Sequence, residues 1–290
     1  MKASYWAQQI SSKEENMGLR IGTNIASISA QRVLGVQQKR AEHAAQAIAS
    51  GSRIVHASDD AAGLAISENI RGQVRGIAQA RNNAFQAVSA IQVSEGGLTE
   101  VTNILVRLRE LGVQAASDHI GDRERGFLNL EAKSLVEEAD RIAKTTVFGD
   151  KRLLDGSGGT MEFQVGSFAG DENIIKYDLS SNATADEIGI TNVEMTEKGS
   201  ARGSLQMVDE ALVKVSAMRA NFGAIQSRLD STVSNLDVQY ENLSAANSRI
   251  KDADIAKETA EMTSANILQQ ASVSVLAQAN QFPQVAMKLV

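Results

Sequence analysis

Between Leu205 and Leu243 the chain returns to one face at alternating steps of three and four: Leu205, Val208, Leu212, Val215, Arg219, Phe222, Gln226, Leu229, Val233, Leu236, Tyr240 and Leu243. Ten of these twelve positions are apolar, which is the spacing of a coiled-coil seam. No proline interrupts the run and Gly223 is its only glycine, so it predicts a single helix ~58 Å long at 1.5 Å per residue. A helix of that length with one apolar stripe needs one or more partners of matching length to cover it. Leu212, Val215, Phe222, Leu229, Val233 and Leu236 are the expected seam.

Other stretches supply partners. From Ile21 to Ser50 the pattern is helical and rich in Ala, with Ala30, Leu34, Ala41, Ala44 and Ile48 at seam spacing, Gln37 as the polar member and Gly51 as the stop. Ser58 or Asp59 is expected to cap the next helix, with Asp60 in its first turn. A longer helix is predicted from Ala84 to Ala116 on the stripe Ala84, Val88, Ile91, Leu98, Val101, Leu105 and Leu108, with Gly96-Gly97 inside it. A polar break from Asp118 to Arg125 separates it from a helix over Arg125–Lys144. The character changes between Phe148 and Gly199. There, Gly- and Asp-rich turns flank two alternating runs, Met161–Val165 and Ile174–Leu179, which predict a hairpin. After a break at Asp252-Ala253-Asp254, a thin stripe of Leu268, Ala271, Val275, Ala279 and Phe282 marks the last helix, which Pro283 is expected to end or kink. The two end helices carry mostly small apolar residues, so each is marginal alone and they are natural partners for each other. The expected fold is mainly α: long antiparallel helices forming a coiled-coil-like rod, with a small β-hairpin insert.

Composition agrees and removes most chemistry. The 290 residues are 43% hydrophobic and 4% aromatic with one Pro, which favours helix over a large β core. A net charge of −6 gives no basic footprint for nucleic acid. No apolar run is long enough for a membrane span, and the N-terminus lacks the apolar core of a secretory signal. The absence of Cys removes disulfides and thiolate chemistry. His43, His56 and His119 lie in no HExxH neighbourhood, and no Gly-x-Ser-x-Gly elbow occurs. Capping outweighs a metal reading of His56, Asp59 and Asp60, and Gly156-Ser157-Gly158-Gly159 reads as a plain turn because no Lys and helix follow it. No catalytic, cofactor or metal residue is expected. Residues Met1–Asn16 share no pattern with the rest. Lys13-Glu14-Glu15 can be encoded by a purine run of the kind that ribosomes bind, so Met17 is the expected start of translation and 1–16 an atypical leader that is not native.

Several blocks then carry a resemblance. Thr23-Asn24, Ala49-Ser50-Gly51-Ser52-Arg53-Ile54 and Asp59-Asp60-Ala61-Ala62-Gly63-Leu64-Ala65-Ile66 resemble the N-terminal region of bacterial flagellin. The blocks Ala220–Leu229, Asn242–Ala246, Ser248–Asp254, Ile267–Ala271 and Ser274–Gln281 resemble its C-terminal helices. The resemblance covers roughly 18–154 and 200–290. It implies a structural, non-enzymatic subunit that self-assembles into the extracellular flagellar filament for swimming motility. It also implies export by the flagellar type III apparatus without a cleaved signal peptide, and an export chaperone, filament cap and junction proteins as further partners. On this basis 17–58 and 254–290 are paired terminal helices of the filament core, with Leu34, Ala41, Ile48, Leu268, Val275 and Phe282 as assembly residues. Residues 59–147 and 200–253 form a helical rod domain and 148–199 its hairpin-rich part, with no large outer domains. The run Arg107-Leu108-Arg109-Glu110-Leu111 resembles a stretch that a vertebrate Toll-like receptor reads in many flagellins, so Arg107, Leu111 and Glu131 are the candidate receptor surface. The nearest alternative is a hook–filament junction protein. From another class, a helical signalling coiled coil would need the membrane span that the sequence lacks.

Overall fold

The computed structural model describes the backbone of residues 23–178 and 181–287 and the side chains of 23–177 and 181–281. The leader 1–16, the expected start at Met17 and the side chain of Phe282 therefore lie outside the described residues. The chain is mainly helical with small antiparallel strand pairs, the expected fold class. In order it forms α1 (Ile25–Ser50), α2 (Ala61–Ala115), α3 (Asp122–Thr145), β1 (Val147–Phe148), β2 (Lys151–Arg152), β3 (Thr160–Gln164), β4 (Ile174–Asp178), α4 (Ala185–Ile188), α5 (Lys198–Lys251) and α6 (Ile255–Met287). Residues Asn69–Ala245 make one compact unit. Those up to Glu68, with those from Ala246 onward, make another.

Helix boundaries follow local chemistry. Asn24 caps α1 by accepting from the Ser27 N–H at 3.0 Å, and Gly51 ends it in the left-handed region at φ 67°. Asp60, not Ser58 or Asp59, caps α2: its carboxylate accepts from Gly63 N–H at 2.8 Å. Asp59 instead folds back and accepts from the N–H groups of Val55 and His56 at 3.1 and 2.7 Å. Helix α2 begins at Ala61 rather than Ala84, because its early turns bury Ser67, Ile77 and Ala80, residues too small or too widely spaced to stand out as a stripe. Helix α6 runs through Pro283 to Met287 instead of ending there. A proline cannot donate to the carbonyl four residues back, here Ala279, but that oxygen accepts instead from the Asn24 side chain at 2.8 Å.

In the unit Asn69–Ala245, α2 buries Ala84, Ala87, Ile91, Ser94, Leu98, Val101, Leu105, Leu108, Gly112 and Ala115, a seam of alternating threes and fours, with Leu111 buried beside it. Helix α5 meets it with Ala201, Ser204, Val208, Ala211, Val215, Phe222, Leu229 and Leu236, and α3 with Ala132, Ala139 and Ala143. Val215, Phe222, Leu229 and Leu236 are thus buried, whereas Leu212 and Val233 are half-buried on the flank. The α5 seam takes Ser204 and Ala211 in place of Leu205 and Leu212, because small residues let helix axes approach. The hairpin pairs β3 with β4 from Thr160↔Asp178 to Gln164↔Ile174. Its inward residues Ile175 and Tyr177 close the helical seam. The Tyr177 ring lies 5.6 Å from that of Phe222, edge to face, and its hydroxyl donates to Ser94 Oγ at 3.4 Å. Burial pushes the Tyr177 hydroxyl pKa up, with the Ser94 contact opposing it. The Gly156–Gly159 stretch is a turn, with φ 73° and 63° at its ends and Asp155 accepting from the Ser157 N–H and hydroxyl at 2.9 and 2.6 Å.

Candidate functional site

The feature that stands apart is the antiparallel pairing of α1 with α6, the two ends of the chain. One end of the pair is fixed by Asn24, which caps α1 and also donates to the Ala279 carbonyl, and by Ser27, whose hydroxyl donates to Asn280 Oδ1 at 2.9 Å. At the other end the chain leaves α1 at Gly51 and crosses the α5–α6 junction. Arg53 N–H donates to the Lys251 carbonyl at 2.7 Å, Ala253 N–H to that of Gly51 at 2.9 Å, and the Arg53 guanidinium to that of Ile250 at 2.7 Å. Asp254 caps α6 by accepting from the Ala256 and Lys257 N–H groups.

Between these ends the interface is built from small and polar side chains. On α1 the buried residues are Ser27, Ala30, Gln37, Ala44 and Ala47; on α6 they are Glu258, Ala265, Ser272 and Ala279, spaced by sevens. Large apolar side chains point the other way. Ile25, Ile28, Val33 and Val36 on α1 and Ile255, Ile267 and Val273 on α6 are all more than two-fifths exposed. Of the residues read from the sequence as assembly positions, Leu34, Ala41 and Ile48 are half-buried on the flank of the pair. Leu268 and Val275 are 47% and 57% exposed, so they are not part of the seam within the chain. Of the apolar stripe expected on α6, Leu268, Ala271 and Val275 face outward and Ala279 faces inward, since size marks a core position only where helices are far enough apart to need filling. The inward seam was visible as Glu258, Ala265, Ser272 and Ala279, one small or polar residue every seven.

Side-chain contacts join α1 to the next segment and brace that segment. His43 Nε2 lies 3.1 Å from Asp59 Oδ2, and Arg53 pairs with Asp60 at 3.7 Å. The His56 N–H holds the Asp59 carboxyl below the usual carboxylate range, with His43 and the Val55 N–H adding to the effect and burial opposing it. Among the described residues no group of three His, Asp or Glu side chains is placed to hold a metal ion, and no helix is long and apolar enough to cross a membrane.

The second expected surface is only partly a surface. Arg107 donates through Nε and Nη2 to Glu131 Oε1 at 3.0 and 2.8 Å and through Nη1 to Glu110 at 2.9 Å, joining α2 to α3 on an exposed face. Leu111 does not share that face. It is 1% exposed and belongs to the core, because its side chain turns into the α2 seam. The exposed apolar residues of this part of α2 and α3 are Val106, Val113, Phe127 and Leu130.

Comparison with known proteins gives concordant matches. Residues 21–158 match the bacterial flagellin N-terminal helical region and residues 205–290 the bacterial flagellin C-terminal helical region. The sequence is 43% identical over 272 residues to the flagellin of Halalkalibacterium halodurans, an alignment that covers 93% of this chain and 98% of that one. It is 38% identical over 306 residues to the flagellin of Bacillus subtilis, covering 93% and 99%. Among solved structures, a putative flagellar hook-associated protein of Vibrio parahaemolyticus aligns over 67% of this chain with a TM-score of 0.55 at 16% identity, a likeness of fold alone.

Proposed function

The chain belongs to the bacterial flagellin family and is a structural subunit of the extracellular flagellar filament, and from that premise we propose that it polymerises through the outward faces of its paired terminal helices. The observation that carries the proposal is the inversion of side chains in that pair: small residues face in, and Ile25, Ile28, Val33, Val36, Ile267, Leu268, Val273 and Val275 face out. Each Val, Leu or Ile that passes from water to full burial contributes ~1.5–3 kcal/mol. A single subunit has no second layer of helix to cover these residues; neighbouring copies supply one. Leu34, Ala41, Ile48, Leu268 and Val275 lie on or beside this face and act in assembly, and we assign the same role to Phe282.

In this reading 17–58 and 254–290 form the paired terminal helices of the filament core. Residues 59–147 and 200–253 form the helical rod domain, with 148–199 as its hairpin-rich part. The two compact units of the chain support this division. Membership of the family supports export by the type III apparatus, with a chaperone, cap and junction proteins as further partners. The exposed ion pair Arg107–Glu131 supports recognition of the monomer by a Toll-like receptor, with Leu111 holding the helix beneath it.

Sedimentation and negative-stain microscopy test the assembly proposal. The full chain, and the chain begun at Met17, should give filaments in assembly-promoting salt. A chain lacking Met1–Ser50 and Asp254–Val290 should stay monomeric. Filaments from the truncated chain would place assembly elsewhere in the molecule.

A further inference from the structure

Pro283 lies inside α6, which runs from Ile255 to Met287. A proline has no N–H for the carbonyl four residues back, so it leaves the Ala279 oxygen without its helical donor. Ala279 is 5% exposed, and a polar group out of water with no partner is costly. Asn24 supplies the partner. Its Nδ2 donates to the Ala279 carbonyl at 2.8 Å, while its Oδ1 accepts from the Ser27 N–H at 3.0 Å and caps α1. One side chain thus satisfies an orphaned donor of α1 and an acceptor that Pro283 frees in α6.

The place of this contact matters because the pair is weakly held along its length. Its seam is made of small and polar residues, with Ala30, Gln37 and Ala44 on α1 and Glu258, Ala265, Ser272 and Ala279 on α6. Small side chains bury little apolar area each. At the α5–α6 junction the backbone joins the two sides, from Arg53 N–H to the Lys251 carbonyl and from Ala253 N–H to that of Gly51. The opposite end, where a helix pair frays most readily, is held by the Asn24 bond and by the Ser27 hydroxyl on Asn280 Oδ1. Ile25 and Ile28 follow Asn24 directly in α1 and belong to its outward apolar face.

We propose that Asn24 and Pro283 form a clasp. The proline withholds the helical donor, the freed Ala279 carbonyl takes the Asn24 amide, and that bond closes the far end of the terminal pair. Asn24 is thereby a positioning residue for assembly, since it holds Ile25 and Ile28 on the face offered to a second copy of this chain. That role in assembly rests on the filament reading; the clasp itself does not. The clasp is selective, because a carbonyl already engaged by its own helix gains less from a second donor. The Asn24 amide therefore contributes most when residue 283 is a proline.

A double-mutant cycle on the full chain tests this. Asn24→Ser keeps a capping oxygen and removes the amide donor. Pro283→Ala returns the missing N–H to α6. With Pro283 in place, Asn24→Ser should raise the critical concentration for polymerisation about tenfold, the effect of one carbonyl left unpaired. In the Pro283→Ala background the same change should raise it less than about twofold. Equal rises in the two backgrounds, or no rise in either, would overturn the clasp. Ser27→Ala removes the neighbouring bond to Asn280 and should have the same effect in both backgrounds. A dependence of Ser27→Ala on residue 283 would mean that the end loosens as a whole, with no special part for the Asn24 amide, and would also overturn the proposal. Hydrogen exchange in the first turns of α1 gives a readout that needs no polymer. Asn24→Ser should speed exchange from Ile28 to Val33 about tenfold with Pro283 in place and leave it unchanged in the Pro283→Ala background. That pattern in a chain that forms no filaments would sustain the clasp and count against the filament reading. Its absence would overturn the clasp whether or not filaments form.

Discussion

Gly96 and Gly97 are adjacent in α2 and answer opposite demands. A Cβ on Gly97 would stand 2.7 Å from Leu154 Cδ1 and 2.8 Å from Thr146 Oγ1, whereas one on Gly96 meets nothing within 4 Å. Leu154 is fully buried and Thr146 Oγ1 is tied to the Ile142 carbonyl at 2.7 Å, so neither can retreat easily. Gly97→Ala should destabilise the unit Asn69–Ala245 by about 1–3 kcal/mol, and Gly96→Ala should stabilise it by about 0.5–1 kcal/mol; thermal unfolding of the two variants gives opposite signs. From sequence the pair read only as a weak point in a helix, because nothing local says which of two glycines has a neighbour. Asp59 makes a prediction in pH. Its folded-state pKa is depressed, first by the His56 N–H and then by His43 and Val55. Its contribution is therefore fully present above the ordinary carboxylate value of about 4 and is lost as pH falls through the depressed one. Asp59→Asn should narrow the stability difference between pH 5 and pH 2, as followed by helix melting.

The elements were legible where periodicity and side-chain size agree. The heptads of α5 mark Val215, Phe222, Leu229 and Leu236, and all four are buried, as a large apolar residue every seven positions in a long helix leads one to expect. The hairpin was legible for the same reason at a period of two. Legibility failed in the terminal pair, where inward and outward faces exchange the usual sizes, and in the first turns of α2, which carry no stripe. It failed also at Pro283. The local rule was sound, but the missing donor is replaced from 255 positions away by Asn24, which no local pattern can report. At this scale the contact of Phe222 with Tyr177 ties hairpin to helix. Phe222→Ala should cost about 3–5 kcal/mol, and hydrogen exchange should show β3–β4 losing protection along with the centre of α5 if that ring is what holds the hairpin down.

For the whole molecule, the proposed mode of assembly gives folding and polymerisation separate sets of residues. The core of Asn69–Ala245 is buried within the chain, whereas the terminal pair leaves large apolar side chains exposed, which the proposed assembly would cover. Leu268→Ser with Val275→Ser should therefore raise the critical concentration at least tenfold, taking about 1.5–3 kcal/mol as the burial of each side chain. The unfolding midpoint of Asn69–Ala245 should stay unchanged; a fall in that midpoint would mean that the two positions serve the fold instead. The inverted terminal pair has a further consequence, in heat. Covering apolar surface lowers heat capacity, and the attraction it gives weakens on cooling. Growth of the polymer should accordingly show a negative heat-capacity change in a calorimeter, with subunit addition becoming less exothermic toward low temperature, and filaments of this chain should shed subunits in the cold and regain them on warming.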